Sequence, residues 1–296
     1  MLNNEPFIYY AADDYGMTAE TCDRIEDCKR NGCLNKIAVL PNSAVTDLRE
    51  RLANSDLMLS VHINLVEGKS ITSPEQIPLL TDKDGYFKHS FFGLLCLSLS
   101  QHRRAFAKQV GMEIDAQIQK AKTLLPPDTP LRLDSHQHVC MIPTIFKELM
   151  HIIDEQHLQI AYLRIPDEPL LPYLAEPSLY LTYSPINLLK QWVLKLCSLT
   201  NKKELKKRNI PSAYFFGILL SGNMDTHRVS KILPHYCKLA KKHGRKIEIL
   251  FHPGYTNRGE PLFDIRKKEF HKFYFSEGRK NEYDAMHKLT AQTTKF

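Results

Sequence analysis

The sequence predicts an α/β fold, a parallel barrel of seven strands wrapped by helices. Three observations predict it. Seven short apolar segments alternate with helical ones along most of the chain. No stretch rich in Gly, Pro or Ser and no internal repeat breaks that alternation, so one domain over residues 1–296 is expected. Acidic and imidazole side chains recur where the apolar segments stop. Loops converge at strand ends in α/β folds, which makes those ends the usual place for chemistry.

The first strand is expected over residues 7–12, followed by Asp13 and Asp14 and then by Thr18, a suitable N-cap for a helix over 19–30. Two adjacent acids at a strand end can divide two tasks, one binding a cation and the other handling a proton. A second strand spans 36–40, ended by Pro41, and a helical segment spans 44–54. In the third strand, 57–65, Leu57, Leu59, Val61, Ile63 and Leu65 share one face and Met58, Ser60, His62 and Asn64 the other. An apolar outside and a polar inside suit a barrel wall beside a functional cavity. Residues 67–89 lack periodicity and are longer than a connection needs, which favours a substrate-covering loop.

A helix over 103–125 presents Phe106, Val110, Ile114 and Ile118 on one face. The fourth strand begins at 131–133 and runs into Asp134-Ser-His136-Gln-His138, after which Pro143 opens a helix to about Gln156. A fifth strand spans 160–165. The helix over 185–207 carries the single tryptophan, Trp192, expected in the core. A sixth strand at 214–219, a helix at 226–243 kinked by Pro234, and a seventh strand at 246–251 ending in His252-Pro-Gly-Tyr255 complete the pattern.

Composition narrows the class further. The 43% hydrophobic and 25% charged content is that of a soluble globular protein. The formal charge of +7 is mostly dispersed, and no nucleic-acid-binding module appears, so no nucleic-acid partner is expected. Seven cysteines form no Cys-x-x-Cys pair, and the first residues lack a signal-peptide pattern, which together predict a cytoplasmic protein. The most apolar window, 91–99, is too short to cross a bilayer, and no membrane association is expected. A homodimer is allowed.

Asp13 and Asp14, His62, His136 and His138, and His252 fall at equivalent places in the barrel, distant in sequence and brought together only by closure. Carboxylate and imidazole suit zinc and other first-row divalent ions, with positions left open for water and substrate. Asp134 beside two histidines offers a partner for a ligating ring.

These residues sit in blocks that resemble the YdjC-like carbohydrate deacetylases, which include chitooligosaccharide deacetylase. Residues 11–16, Ala-Ala-Asp-Asp-Tyr-Gly, resemble its Asn-Ala-Asp-Asp-Phe-Gly. Residues 60–68, Ser-Val-His-Ile-Asn-Leu-Val-Glu-Gly, resemble Gly-Leu-His-Leu-Asn-Leu-Thr-Glu-Gly, and residues 134–140, Asp-Ser-His-Gln-His-Val-Cys, resemble Asp-Ser-His-Gln-His-Val-His. Residues 164–169 and 252–255 match later blocks. The resemblance implies a deformed parallel barrel of the polysaccharide-deacetylase type and one divalent ion, Mg2+ or Zn2+, held by Asp14, His62 and His136. It also implies Asp13 as catalytic base, His252 as acid, and an acetylated amino sugar as substrate. Asp134, His138, Arg164 and Tyr255 are expected around substrate or behind the ligands. Ala11, Tyr15 and Cys140 depart from the family's usual residues but leave the expected ligands untouched. A phosphoesterase on the same ligands is the alternative enzyme, and a sugar-binding protein without catalysis is the alternative class.

Overall fold

The computed structural model describes residues 5–53 and 55–289. Strands β1 (Ile8–Tyr15), β2 (Lys36–Val39), β3 (Met58–Ile63), β4 (Leu131–Ser135), β5 (Ile160–Leu163), β6 (Tyr214–Phe216) and β7 (Ile247–Phe251) form one sheet in the order β5-β4-β3-β2-β1-β7-β6. Every pairing is parallel. The helices are α1 (Ala19–Asn31), α2 (Leu48–Ala53), α3 (Phe91–Leu99), α4 (Arg103–Leu124), α5 (Pro143–Glu155), α6 (Leu171–Leu174), α7 (Pro185–Lys207), α8 (Thr226–Lys242), α9 (Lys268–Tyr274) and α10 (Glu277–Leu289). This is the expected seven-stranded α/β architecture, curled into a deformed barrel. The two margins, β5 and β6, meet without strand pairing. There the Leu163 N–H donates to the Pro211 carbonyl and the Phe215 N–H to the Asp167 carbonyl, both at 3.0 Å.

Alternation along the strands decides what each face of the sheet meets. Val61, Ile63 and Leu133 pack outward with Phe106, Val110, Ile114 and Ile118 of α4 and Leu149 of α5. Ile37, Val39, Ile249 and Phe251 pack with Ile25 of α1, Ile232 of α8 and Met286 of α10. The inner face is instead polar: Lys36, Ser60, His62, Asp134 and Glu248 are all buried. Buried charge is tolerated only where it is paired, and Lys36 Nζ lies 2.7 Å from Glu248 Oε1.

Local signals set the helix ends. Thr18 accepts the Thr21 N–H at 3.2 Å while the Thr21 hydroxyl accepts the Thr18 N–H at 3.0 Å, a reciprocal cap that starts α1. Pro143 and Pro185 occupy first turns, where no donor is lost.

Several expectations are corrected. Trp192 is 60% exposed, not in the core. The predicted sixth strand stops three residues early, because the N–H groups of Gly217, Ile218 and Leu219 turn onto the Glu168 carboxylate at 2.7, 3.0 and 2.9 Å. The long segment after Glu67 is tied down by bridges between Lys69 and Tyr86 and between Thr81 and Phe87, with Ile77, Leu80 and Phe87 buried. Asn54, the expected end of the second helical segment, and the first four residues lie outside the described residues. The region beyond Tyr255, to which no element was assigned from sequence, forms α9 and α10.

The Glu168 brace gives a first prediction. Its carboxylate accepts three backbone donors and the Tyr173 hydroxyl, at 2.6 Å. Glu168→Ala leaves the three buried N–H groups without their acceptor and is expected to lower stability by about 3 kcal/mol or more, read from urea unfolding. A change within experimental error would show that the brace is dispensable.

Candidate active site

The end of β1 is bulged. Its register against β2 shifts between Ala12 and Tyr15, and Asp14 adopts a φ of +70°. In a regular strand two consecutive side chains point to opposite faces. The bulge breaks that rule, so Asp13 and Asp14 both line one cavity of about 370 Å³. A left-handed non-glycine residue costs of order 1–3 kcal/mol, and here the strain aims a carboxylate.

Asp13 is locked by Arg164. The guanidinium donates to both carboxylate oxygens, at 2.7 and 2.8 Å, and its Nε and Nη2 donate to Glu248 at 2.9 and 2.7 Å. Burial would lower the pKa of Arg164, but the carboxylates of Asp13, Asp134 and Glu248 hold it well above the usual guanidinium value. Arg164 thus bridges Asp13 and Glu248, behind the expected ligands. Asp167 is engaged by Lys202 and by Arg245.

His62, on the polar face of β3, is oriented from behind. Its Nδ1 lies 2.6 Å from Asp134 Oδ1, which orients the ring and turns Nε2 towards Asp13 and Asp14. That Nε2 is buried without a hydrogen-bond partner, 3.7 Å from Asp14 Oδ1 and 3.8 Å from Asp13 Oδ2. A cation seated between these groups would give the unpartnered ring nitrogen and the two carboxylates a common partner.

His136 follows β4 directly. Its Nδ1 lies 3.0 Å from Asp14 Oδ1 and its Nε2 2.9 Å from Glu67 Oε2. Burial would lower its pKa, but the two carboxylates raise it to about 10. Ligand atoms of Asp14, His62 and His136 lie within 4.8 Å of one another. A second cluster, Asp13, His62 and Asp134, also satisfies that distance, but Asp134 occupies the Nδ1 side of His62 and Asp13 is held by Arg164. The first cluster therefore fits a divalent cation better. Its one carboxylate and two imidazoles form a donor set that suits Zn2+ and also other first-row ions.

His252 lies just beyond β7 and lines the same cavity. Its backbone N–H donates to Glu282, whose Oε2 also lies 3.3 Å from Nδ1. Burial would lower the His252 pKa, but Glu282 and Asp14 raise it above the ordinary imidazole value. His138 also lines the cavity, its ring edge-on to Phe215 at 5.3 Å, in a left-handed turn with Gln137. Burial and the Arg164 charge hold it neutral, its pKa lowered to about 3. Tyr255 is not among the lining residues. Arg24 lies over its ring at 4.3 Å and Tyr283 packs edge-on at 5.6 Å.

Four further residues complete the site and were not assigned from sequence. Arg279 of α10 donates to Asp14 Oδ2 at 2.7 Å, and its charge overcomes burial to hold the Asp14 pKa well below the carboxylate range. The Tyr274 hydroxyl lies 2.6 Å from both carboxylate oxygens of Glu67, one of which, Oε2, also faces His136. Glu282 holds His252. The Glu67 signal was present within the 60–68 block, whereas Tyr274, Arg279 and Glu282 lie beyond the last recognisable strand. The apolar wall comes from Phe91 and Phe92 of α3, Phe270 and Phe273 of α9, and Val193 and Leu194 of α7. Of the expected covering segment, 67–89, Glu67 lines the cavity, and α3 and α9 add Phe91, Phe92, Phe270 and Phe273 to its wall.

Comparisons with known proteins show what the chain is similar to. The family model described as YdjC-like protein matches residues 8–294. A protein named carbohydrate deacetylase from Thermoanaerobacter pseudethanolicus is 32% identical over 134 residues, covering 45% of this chain and 50% of the relative. One of the same name from Danio rerio is 28% identical, covering 53% of this chain and 49% of the relative. These alignments thus span about half the length of those relatives. A solved structure from Enterococcus faecalis V583, described as a "putative cellobiose-phosphate cleavage protein", superposes with a TM-score of 0.63 at 17% identity over 97% of this chain and 94% of that one, a likeness of fold.

Proposed function

The chain belongs to the YdjC-like protein family, and from that premise we propose that it is a metal-dependent carbohydrate deacetylase, hydrolysing the N-acetyl group of an amino sugar or its oligosaccharide. The observation that carries the metal is the buried, unpartnered Nε2 of His62, aimed at Asp14 beside His136. Support for the sugar comes from the relatives' names and from the cavity, which is lined by aromatic side chains together with a cluster of polar groups.

Asp14, His62 and His136 would hold the ion. When bound, a divalent cation supplies Lewis acidity, polarising an acetyl carbonyl and lowering the pKa of water, to about 7 in favourable zinc sites. Asp13 accepts a proton from the attacking water, held in place by the Arg164 fork. The carbon–nitrogen bond breaks as His252 delivers a proton to the departing amine, and acetate and a free amino sugar result. Glu282 orients His252 and raises its proton affinity for that delivery.

The test is release of acetate, measured against release of phosphate, across N-acetylated mono- and disaccharides and phosphate esters with Mg2+ or Zn2+. Acetate release sustains the reading, and phosphate release alone would replace it with the phosphoesterase. The acid role carries its own pH signature. His252 must be protonated to act, so activity is expected below its raised pKa and lost as pH rises through it. Glu282→Gln removes the main raising contact, and the basic limb of kcat/KM should move to lower pH. An unmoved limb would assign the proton to another group.

A further inference from the structure

Helix α7 is amphipathic in the reverse of the usual sense. Its buried stripe is largely polar: Asn187, Gln191, Ser198 and Asn201 join Leu194 and Leu205. Asn187 donates to the Ser221 carbonyl at 2.9 Å, Gln191 to the Glu168 carbonyl at 3.1 Å and Asn201 to the Met141 carbonyl at 3.2 Å. The outward stripe is apolar. Ile186, Leu189, Trp192, Leu196 and Leu199 recur at helical spacing and are each between 49% and 67% exposed. So long an apolar face on a helix surface marks a binding surface.

Charge decides what covers it. Between residues 185 and 208 the chain carries seven Lys and Arg side chains and one acid, Glu204. Lys190 and Lys195 flank the apolar stripe, and Lys202, Lys203, Lys206 and Lys207 follow it. Among the described residues, Lys190, Lys195, Lys203 and Lys206 have no ion-pair partner. A second copy packed on this face would bring two such basic helices together with only two glutamates between them. An anionic lipid surface meets both features at once: acyl chains take the Trp and Leu stripe, and headgroups take the lysines, whose long stems reach outward to them. The face is also continuous with the cavity wall, because α7 contributes Lys190, Val193 and Leu194 to it beside Phe92 and Phe273, both 55% exposed.

We infer that α7 is an interfacial helix that docks this protein on an anionic lipid bilayer, with the cavity mouth beside the headgroups. No helix of the described residues is long and apolar enough to cross a membrane, and docking requires none.

Trp192 is the single tryptophan, so its emission reports on this face alone. The full chain should float with phosphatidylcholine vesicles containing phosphatidylglycerol, much less with phosphatidylcholine alone, and raised salt should release it. Trp192 emission should shift to the blue on the anionic vesicles. Lys203→Glu with Lys206→Glu should lower partitioning by about tenfold or more. Leu189→Ser with Leu196→Ser should abolish the shift, and the lysine pair decides the matter if the serine pair misfolds. Failure to float, with emission unchanged, would overturn the inference. So would emission that shifts with protein concentration alone, together with sedimentation as a dimer, which would make a second copy the occupant.

Discussion

Asp13→Asn is expected to lower kcat for acetate release by about 10²- to 10⁴-fold while the divalent metal content stays unchanged. The substitution keeps size and shape but removes the group that accepts a proton. Asp13 is the acid best separated from the candidate ligands in function, since both of its oxygens are taken up by Arg164 at 2.7 and 2.8 Å. An asparagine can return only one acceptor oxygen to that two-pronged donor, and its amide hydrogens oppose the guanidinium. Some loss of stability should therefore accompany the loss of rate, and the two are separated by assaying well below the unfolding temperature. Arg164→Lys is the companion variant. A lysine supplies charge without the planar fork, so it should depress kcat more than it changes KM. Retention of full activity by Asp13→Asn would remove Asp13 from the base role and leave the proton to another residue of the cavity.

How much of this site was legible depended on whether a residue lay on an element with a periodic signature. His62 stood out because its strand alternates cleanly, and the same alternation places Asp134 behind it through the parallel register of β3 and β4. Asp13 and Asp14 were visible as a pair, but their shared direction was not, since it arises from a bulge and a left-handed residue that leave no pattern in the sequence. Tyr274 is the buried residue of the seven-residue α9, and the buried positions of α10 include the charged Arg279 and Glu282, so an apolar stripe could not announce them. Trp192 fails for the complementary reason. An apolar stripe ordinarily faces the core, but on α7 the inner face is used for side-chain hydrogen bonds to loop carbonyls, and the apolar side is turned outward.

His136→Ala should abolish both metal retention and acetate release, which distinguishes a ligand from the base. The ring stands between two carboxylates, with Nδ1 towards Asp14 and Nε2 towards Glu67. Its removal takes away one of three ligand atoms and the bridge that sets Asp14 against Glu67. The fold should survive, because Asp14 remains paired with Arg279 and Glu67 with Tyr274. Glu67→Gln supplies a graded comparison: it keeps the ring but weakens the contact behind it, and should cost about 10- to 100-fold in metal affinity. Thermal unfolding gives a readout that does not pass through catalysis. A ligand at about 100 times its Kd stabilises the folded state by about 2.7 kcal/mol, so Zn2+ or Mg2+ should raise the Tm of the unaltered protein. That rise should be smaller in Glu67→Gln at the same metal concentration and absent in His136→Ala. If His136→Ala shows the same metal-dependent rise as the parent, the ion is not held at Asp14, His62 and His136, and the chemistry assigned to that cluster falls with it.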